Sequence, residues 1–301
     1  MNRDNEISRA VIEGFDDYRA PRQHEQCLVR PTLDRAVRRL RDRRVRGGEV
    51  PEMIGALRVP AREQLLKDAI RYTSAYRNIE LPTRSVDSIV MAGHQPALFH
   101  PGVWFKNFAL HQLASATDSV AINLVVDSDV APPSSIRVPC RSETGDRIGL
   151  TAVAYDQLGG GVPYEQTLVQ DREQFDRFDQ EVTKTISGIV DEPLIGPLWH
   201  YAREAIQRCG YAGCALAQAR HRLEADRGLR TLEIPQSVVC RSQAFAAFAV
   251  HLLAELPRFH RCYNEATEFY RQAHGIRSKS HPVPNLGRDG DWYEAPFWVY
   301  G

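Results

Sequence analysis

The chain has 301 residues, 43% of them hydrophobic, and 38 basic against 38 acidic side chains, so its formal net charge is zero. That size holds one large α/β domain with additions, or two small domains. The charge balance argues against a nucleic-acid protein that relies on bulk positive charge. No apolar run reaches the roughly eighteen residues of a membrane span, and residues 1–6 lack the apolar core of a secretion signal. Six cysteines, none in a Cys-x-x-Cys pair, argue against structural zinc and are too sparse for a disulfide scaffold. A reducing cytoplasm is therefore the expected compartment. The expected partner is a small-molecule substrate, not nucleic acid or membrane, and self-association into a homo-oligomer is compatible with the pattern.

Residues 1–80 read as an N-terminal helical segment, with helices over 33–46 and 60–76 separated by the turn-like Gly47-Gly48. The arginine-rich stretch 30–46 reads as a solvated helical face more readily than as an RNA- or membrane-binding stripe. Residues 81–160 read as the first half of a Rossmann-like core with a β-hairpin. A strand over 86–93 leads through a His/Gly loop into a helix over 103–116, whose apolar positions follow helical spacing. Residues 120–126 (Val-Ala-Ile-Asn-Leu-Val-Val) are nearly continuously apolar, as suits a parallel strand buried on both faces. The resulting β-α-β unit should be right-handed. Segments 135–140 and 147–155 flank a Gly-containing turn and predict a hairpin.

Residues 161–230 read as a polar helical insertion, broken at Pro193 and Pro197. Residues 231–301 read as the second half of the core. A strand begins at Leu232, and a helix over 243–256 is capped by Ser242 and stopped by Pro257. Residues 277–296 are loop-like. The chain stops just past an aromatic run, Phe297-Trp298-Val299-Tyr300, that reads as a buried strand, so a truncated C-terminus is expected. The predicted class is α/β: a Rossmann-like, mostly parallel sheet with helices on both faces.

In an open parallel sheet, ligands bind at the carboxyl ends of the strands. Gly93-His94 ends the first strand and Asp127-Ser128-Asp129 the second, so His94, His100, Asp127 and Asp129 are expected to converge. Gly93 would admit close backbone approach to a ligand. Pro101 suits the first helical turn, leaving the N–H groups of Gly102 and Val103 for phosphate oxygens, with Gln95 and Lys106 nearby. His94 and His100 would stabilise transition-state charge; alternatively, they cap and pack the loop. Asp127 and Asp129 would hold Mg²⁺, accept hydrogen bonds from a ribose or an amine, or form an Asx-turn before Pro132-Pro133. Lys279, in Arg277-Ser278-Lys279-Ser280-His281, would stabilise a leaving phosphate as a point charge, or simply be exposed. Glu294, between Trp292 and Trp298, would bind a substrate amine or hydroxyl, with the aromatics lining that place or serving as core. Cys209, Cys214 and His221 read as structural, and Cys140 and Cys240 as small buried hydrophobes. No Gly-x-Ser-x-Gly, Walker or Gly-x-Gly-x-x-Gly motif occurs.

The run Gly93-His94-Gln95-Pro96-Ala97-Leu98-Phe99-His100-Pro101-Gly102 resembles the Gly-Gln-Gln-type loop and Leu-x-x-Gly-Pro-type helix start of the bacillithiol biosynthesis cysteine-adding enzyme family. The acidic strand end at Asp127-Ser128-Asp129 and the strand and turn that follow extend the resemblance over residues 85–156. His94 stands where that family has Gln, and its longer acidic run is reduced here to two aspartates. His100-Pro101-Gly102-Val103 resembles the His-x-Gly-His signature of Rossmann-like nucleotidylyltransferases, with Val in the second His position. Arg277-Ser278-Lys279-Ser280 is similar to the basic Lys-x-Ser loop of that superfamily. The resemblance implies an ATP-linked ligase or nucleotidyltransferase-like enzyme using ATP or another nucleotide with Mg²⁺, an amino acid such as cysteine being the nucleophile. The alternative is a non-catalytic ligand-binding or assembly protein on a degenerate Rossmann-like core.

Overall fold

In a computed structural model, residues 21–23, 26–46, 52–79, 88–98, 100–142, 144–145, 147–157 and 159–300 are described. Val37–Phe245 form one unit, and the described parts of Met1–Ala36 and Ala246–Gly301 form another. The chain is mixed α/β. Among the described residues, no helix is long and apolar enough to cross a membrane.

Three strands make the central sheet: β1 (Ile89–His94), β2 (Val120–Val125) and β5 (Leu232–Pro235). They pair in parallel in the order β1-β2-β5. The register sets His94 beside Val125, Ala92 beside Asn123, and Asn123 beside Glu233. Because strand side chains alternate, one face carries Ile122, Leu124, Leu232 and Ile234. It packs on Leu65, Leu66, Ala69 and Ile70 of α2 (Glu52–Ser74). The other face carries Val90, Ala92 and Ala121, packed on Leu110 and Ala114 of α3 (Pro101–Ala116). It also carries His94, Asn123 and Glu233, an unusual polar load for a covered face.

The predicted strand over 120–126 matches β2. The predicted hairpin forms from β3 (Ser135–Arg141) and β4 (Ile148–Ala154). α1 spans Leu33–Arg46 as the arginine-rich helix. The Gly47-Gly48 turn and residues 86–87 of the first strand lie outside the described residues. α2 begins at Glu52 and takes Pro60 into its interior, eight residues before the predicted start.

The segment read as a polar insertion is instead the largest core of the unit. α4 (Arg172–Thr185), α5 (Ile195–Cys209) and α6 (Ala212–Ala225) bury Phe175, Phe178, Val182, Trp199, Ala202, Ala205 and Leu216 together with Tyr155 and Val138 of the hairpin region. Its charges lie mainly outside that apolar cluster, so average polarity concealed amphipathic helices. β5 ends at Pro235, and Gln236–Val239 turn into the short helix α7.

The cap foreseen at Ser242 is present: Phe245 N–H donates to its Oγ at 3.2 Å, opening α8 (Gln243–Ala254). α8 ends at Ala254, two residues short of the predicted end, and Pro257 lies beyond it. It sits in the first turn of α9 (Leu256–Ala273), where its missing N–H is harmless. β6 (Arg288–Asp289) and β7 (Trp292–Tyr293) form a small hairpin. The aromatic run at 297–300 is neither strand nor core: Trp298 is 87% and Val299 95% exposed, which corrects the buried-strand expectation.

Candidate functional site

At the carboxyl edge of β2 and β5 lies a cavity of ≈ 280 Å³. Val125, Asp127, Pro235 and Ser237 form the strand-end wall. Tyr164 and Glu165 come from a short 3-10 turn at Tyr164–Gln166. The junction of α5 and α6 contributes Cys209, Gly213 and Cys214, while Tyr72 and Arg241 complete the rim.

Asp127 is fixed in this wall. Its Oδ1 accepts the Ser237 N–H at 2.9 Å and its Oδ2 the Ser237 hydroxyl at 2.5 Å. Charge-assisted bonds of this kind are the strong ones, so the ends of β2 and β5 are tied together at the floor of the crevice. The Asp127 and Asp129 carbonyls accept the N–H groups of Glu165 and Tyr164 at 2.9 and 3.1 Å. The Asp129 carboxylate accepts Gln95 Nε2 at 2.7 Å and the Val130 N–H at 2.8 Å. The loops after β1 and β2 therefore meet, as expected, but through Gln95. Asp127 alone of the four predicted catalytic groups around these loops lines the cavity. The two carboxylates serve different neighbours, and no group of three or more His, Cys, Asp or Glu side chains suited to a metal occurs among the described residues. They do not form a protein-built Mg²⁺ cage.

The two histidines part company. His94 is buried on the polar sheet face, and its Nδ1 donates to the Gln95 carbonyl at 2.7 Å, which leaves Nε2 as the acceptor nitrogen. Burial lowers its pKa, with Arg220 and Lys106 adding to that and the Gln95 hydrogen bond and Glu233 opposing it. His100 is exposed and caps α3: its Nδ1 accepts the Gly102 N–H at 3.0 Å, and its carbonyl accepts the Val103 N–H at 2.8 Å. The amides assigned to phosphate are thus already satisfied by the cap, a correction to the sequence reading. Pro101 stands in the first turn as foreseen. Lys106 is exposed on α3, and Phe99 lies outside the described residues.

Gly93 also has a different reason to be glycine. A Cβ there would lie 2.9 Å from the Leu124 carbonyl oxygen on the neighbouring strand. The requirement is close packing of β1 on β2, not approach to a ligand.

Lys279, Glu294 and Trp298 belong to the other unit. Lys279 lies in a loop organised by Arg271, whose guanidinium donates to the carbonyls of Lys279 and His281 at 2.6 and 3.0 Å. Glu294 accepts the Gly287 N–H at 2.6 Å, closing the turn around β6 and β7. Trp298 is open to solvent.

A buried polar network on the α3/α6 side of the sheet was absent from the sequence reading. Arg220 on α6 is 6% exposed and pairs with both Glu224 (2.9 Å) and Glu233. Glu224 also accepts Trp104 Nε1 at 2.7 Å and Asn107 Nδ2 at 2.6 Å, and Glu233 accepts Asn123 Nδ2 at 2.6 Å. The Tyr76 hydroxyl bridges Glu233 and His221 Nδ1. His221 is wholly buried, with Nε2 3.0 Å from both the Thr231 hydroxyl and Arg77 Nη1, and burial holds its pKa well below the usual value. Arg220 is pushed the other way: Glu233 and Glu224 outweigh the burial that would lower it. The i,i+4 spacing of Arg220 and Glu224 was the available signal, though the same spacing is common on solvated helices. The second omission is the pairing of Cys209 with Cys214 in the crevice wall.

No protein-family model matches the chain, and no curated protein matches it.

Proposed function

We propose that this chain is a nucleotide-dependent ligase or nucleotidyltransferase-like enzyme that takes its small-molecule ligands in the crevice at the carboxyl edge of β2 and β5. The observation that carries the reading is the position of Asp127, locked by Ser237 at the ends of two adjacent parallel strands and facing a cavity of ≈ 280 Å³. Open parallel sheets bind ligands at that edge. The parallel β1-α3-β2 unit supports a Rossmann-like core, as the resemblance to the cysteine-adding enzyme family implies.

Arg241 on the rim provides a cation for phosphate oxygens. Asp127 retains lone pairs for a ribose hydroxyl or a substrate amine, since a carboxylate offers about four acceptor positions. Magnesium enters on the phosphates of the nucleotide and supplies charge neutralisation there. His94, buried behind the loop, positions Gln95, which in turn holds Asp129. His100 holds the start of α3.

Titration calorimetry with ATP, with and without Mg²⁺, tests this. Wild type is expected to bind, and Arg241→Ala to weaken binding about tenfold, the equivalent of ~1.4 kcal/mol for one lost phosphate contact. No heat of binding under either condition, or unchanged affinity in both Arg241→Ala and Asp127→Asn, refutes the assignment. One observation favours the second reading, a non-catalytic ligand-binding or assembly protein: the helix-start amides are spent on the His100 cap. ATP binding with no release of AMP, ADP, phosphate or pyrophosphate across a panel of amino acids selects it.

A further inference from the structure

Cys209 is the last residue of α5 and Cys214 lies in the first turn of α6. Between them Gly210 takes a left-handed φ of 76°, which reverses the chain. The turn is pinned from outside: Val169 N–H donates to the Gly210 carbonyl at 3.1 Å, and Ala212 N–H to the Thr167 carbonyl at 2.9 Å. The reversal brings both side chains to the same wall, where each sulfur shifts the other's ionisation, while the Cys209 thiol also reaches the Ala205 and Tyr211 carbonyls at 3.4 and 3.7 Å. Both are half-buried, and both line the crevice.

The surroundings divide the two sulfurs by role. Hydrogen bonding from Cys214, aided by the Tyr211 backbone and Arg208, pulls the Cys209 thiol down to about 7 against the effect of burial. The same bond and burial push Cys214 up. Gln218 stands ready for Cys214: its Oε1 accepts from Arg208 at 2.9 Å, which turns its Nε2 toward Cys214 Sγ at 3.1 Å. The other groups facing the pair are Tyr72 on α2, Asp127 and Glu165 across the crevice, and Arg241. By contrast, Cys240 is pushed up by burial, and Cys27 and Cys262 are exposed.

We propose that Cys209 and Cys214 form a redox-active dithiol in the crevice wall, converted to an intramolecular disulfide by a low-molecular-weight disulfide. The Cys209 thiolate attacks one sulfur of RS–SR, forming the mixed disulfide Cys209–SR and releasing RS⁻. Cys214 then loses its proton to RS⁻, giving RSH, and its thiolate is held by the Gln218 amide. It attacks the Cys209 sulfur, forms the Cys209–Cys214 bond and expels a second RS⁻, which takes up a proton from water. The protein is oxidised by two electrons and RS–SR is reduced to two thiols. This inference does not rest on the nucleotide reading, and its test contains no nucleotide.

Full-length protein is treated with oxidised glutathione, digested with trypsin without reduction, and weighed. One tryptic peptide, residues 209–220, carries both cysteines. The expected result is that this peptide loses two hydrogens and regains them with dithiothreitol, while Cys214→Ser accumulates a glutathione adduct on Cys209. Iodoacetamide labelling gives an independent readout on the wild type. A thiol near 7 should react about threefold faster at pH 7 than one near 8.5, once its lower intrinsic nucleophilicity is counted, and more slowly than it above about pH 9. Cys209 is therefore expected to overtake free N-acetylcysteine, added to the same reaction as the reference thiol, as pH falls. The proposal is overturned by any of three outcomes: a fully reduced 209–220 peptide beside disulfides through Cys27 or Cys262, an adduct on Cys214 in place of Cys209, or a Cys209 labelling profile that parallels that of the added free thiol.

Discussion

Arg220→Met is expected to be among the most destabilising single changes in the unit that holds the sheet. The side chain is 6% exposed and is shared by two carboxylates that are 1% and 0% exposed, Glu224 and Glu233. Methionine keeps most of the volume, so little of the cost is cavity. It instead leaves two buried anions whose remaining direct donors are the neutral groups of Trp104, Asn107, Asn123 and Tyr76. Removing one partner of a buried ion pair costs about 3–5 kcal/mol. For a unit of this size each kcal/mol is worth roughly 2–4 °C, so Tm should fall by about 6–20 °C. Urea unfolding monitored by tryptophan fluorescence supplies ΔG, because Trp104 reports on the network and Trp199 on the main core. The triple variant R220M/E224Q/E233Q removes all three charges and should recover most of the loss, since neutral replacements of a buried triad are often tolerated. A loss below about 1 kcal/mol for Arg220→Met, or no recovery in the triple variant, refutes the claim that charge compensation holds α6 to the sheet.

Two further predictions concern pH and close packing. His221 titrates at 6.5 when unfolded and well below that when folded, so the unfolded state binds the extra proton and stability is lost as pH falls below about 6.5. His221→Gln should flatten the dependence of ΔG on pH between about 6 and 5 by ~1.4 kcal/mol per pH unit, measured by urea unfolding across that range; an unchanged slope contradicts a buried neutral imidazole. A Cβ at Gly213 would stand 2.9 Å from Tyr164 Cβ and 3.1 Å from its carbonyl oxygen, whereas one at Gly196 meets nothing within 4 Å. Overpacking costs about 1–3 kcal/mol and the helical gain of alanine is at most ~1, so Gly213→Ala should lower stability and Gly196→Ala should not. Equal Tm shifts for the two variants would contradict the close contact at Gly213.

The legible parts of this fold were those fixed by local chemistry. β2 was visible as a continuous apolar run, the β3–β4 hairpin as two runs flanking a glycine turn, and α8 by its serine cap. Pro101 marked the start of α3 because a first-turn proline loses nothing there. For the histidine beside it, the capping alternative is the one the structure shows. A helix start offers free amides only if its own cap leaves them free, and the His100 imidazole is itself an acceptor. Trp298 and Val299 show the converse: apolar residues near a chain end need a partner surface to become core, and composition does not supply one. α4 to α6 were hidden by averaging, since Phe175, Phe178 and Trp199 are a minority within charged segments and matter only because they share one face.

Arg220, Glu224 and Glu233 were hidden by something deeper than averaging. Charged residues belong outside on any local criterion, and nothing local distinguishes Arg220 from Arg222 two residues later, which is more exposed and pairs with Glu204. What separates them is long-range: α6 lies with α3 over the sheet face that carries Asn123 and Glu233, so the Arg220 side chain meets a carboxylate from a strand and the Arg222 side chain does not. Cys214 is six residues from Arg220 on the same helix, roughly 9 Å along its axis, and Gly213 beside it fits against Tyr164 and Pro96 with no room for a methyl group. The buried charges fix one end of α6 and the glycine contact fixes the other. The thiol pair and the Asp127 wall therefore face one another across a crevice whose geometry depends in part on buried charges that do not line it.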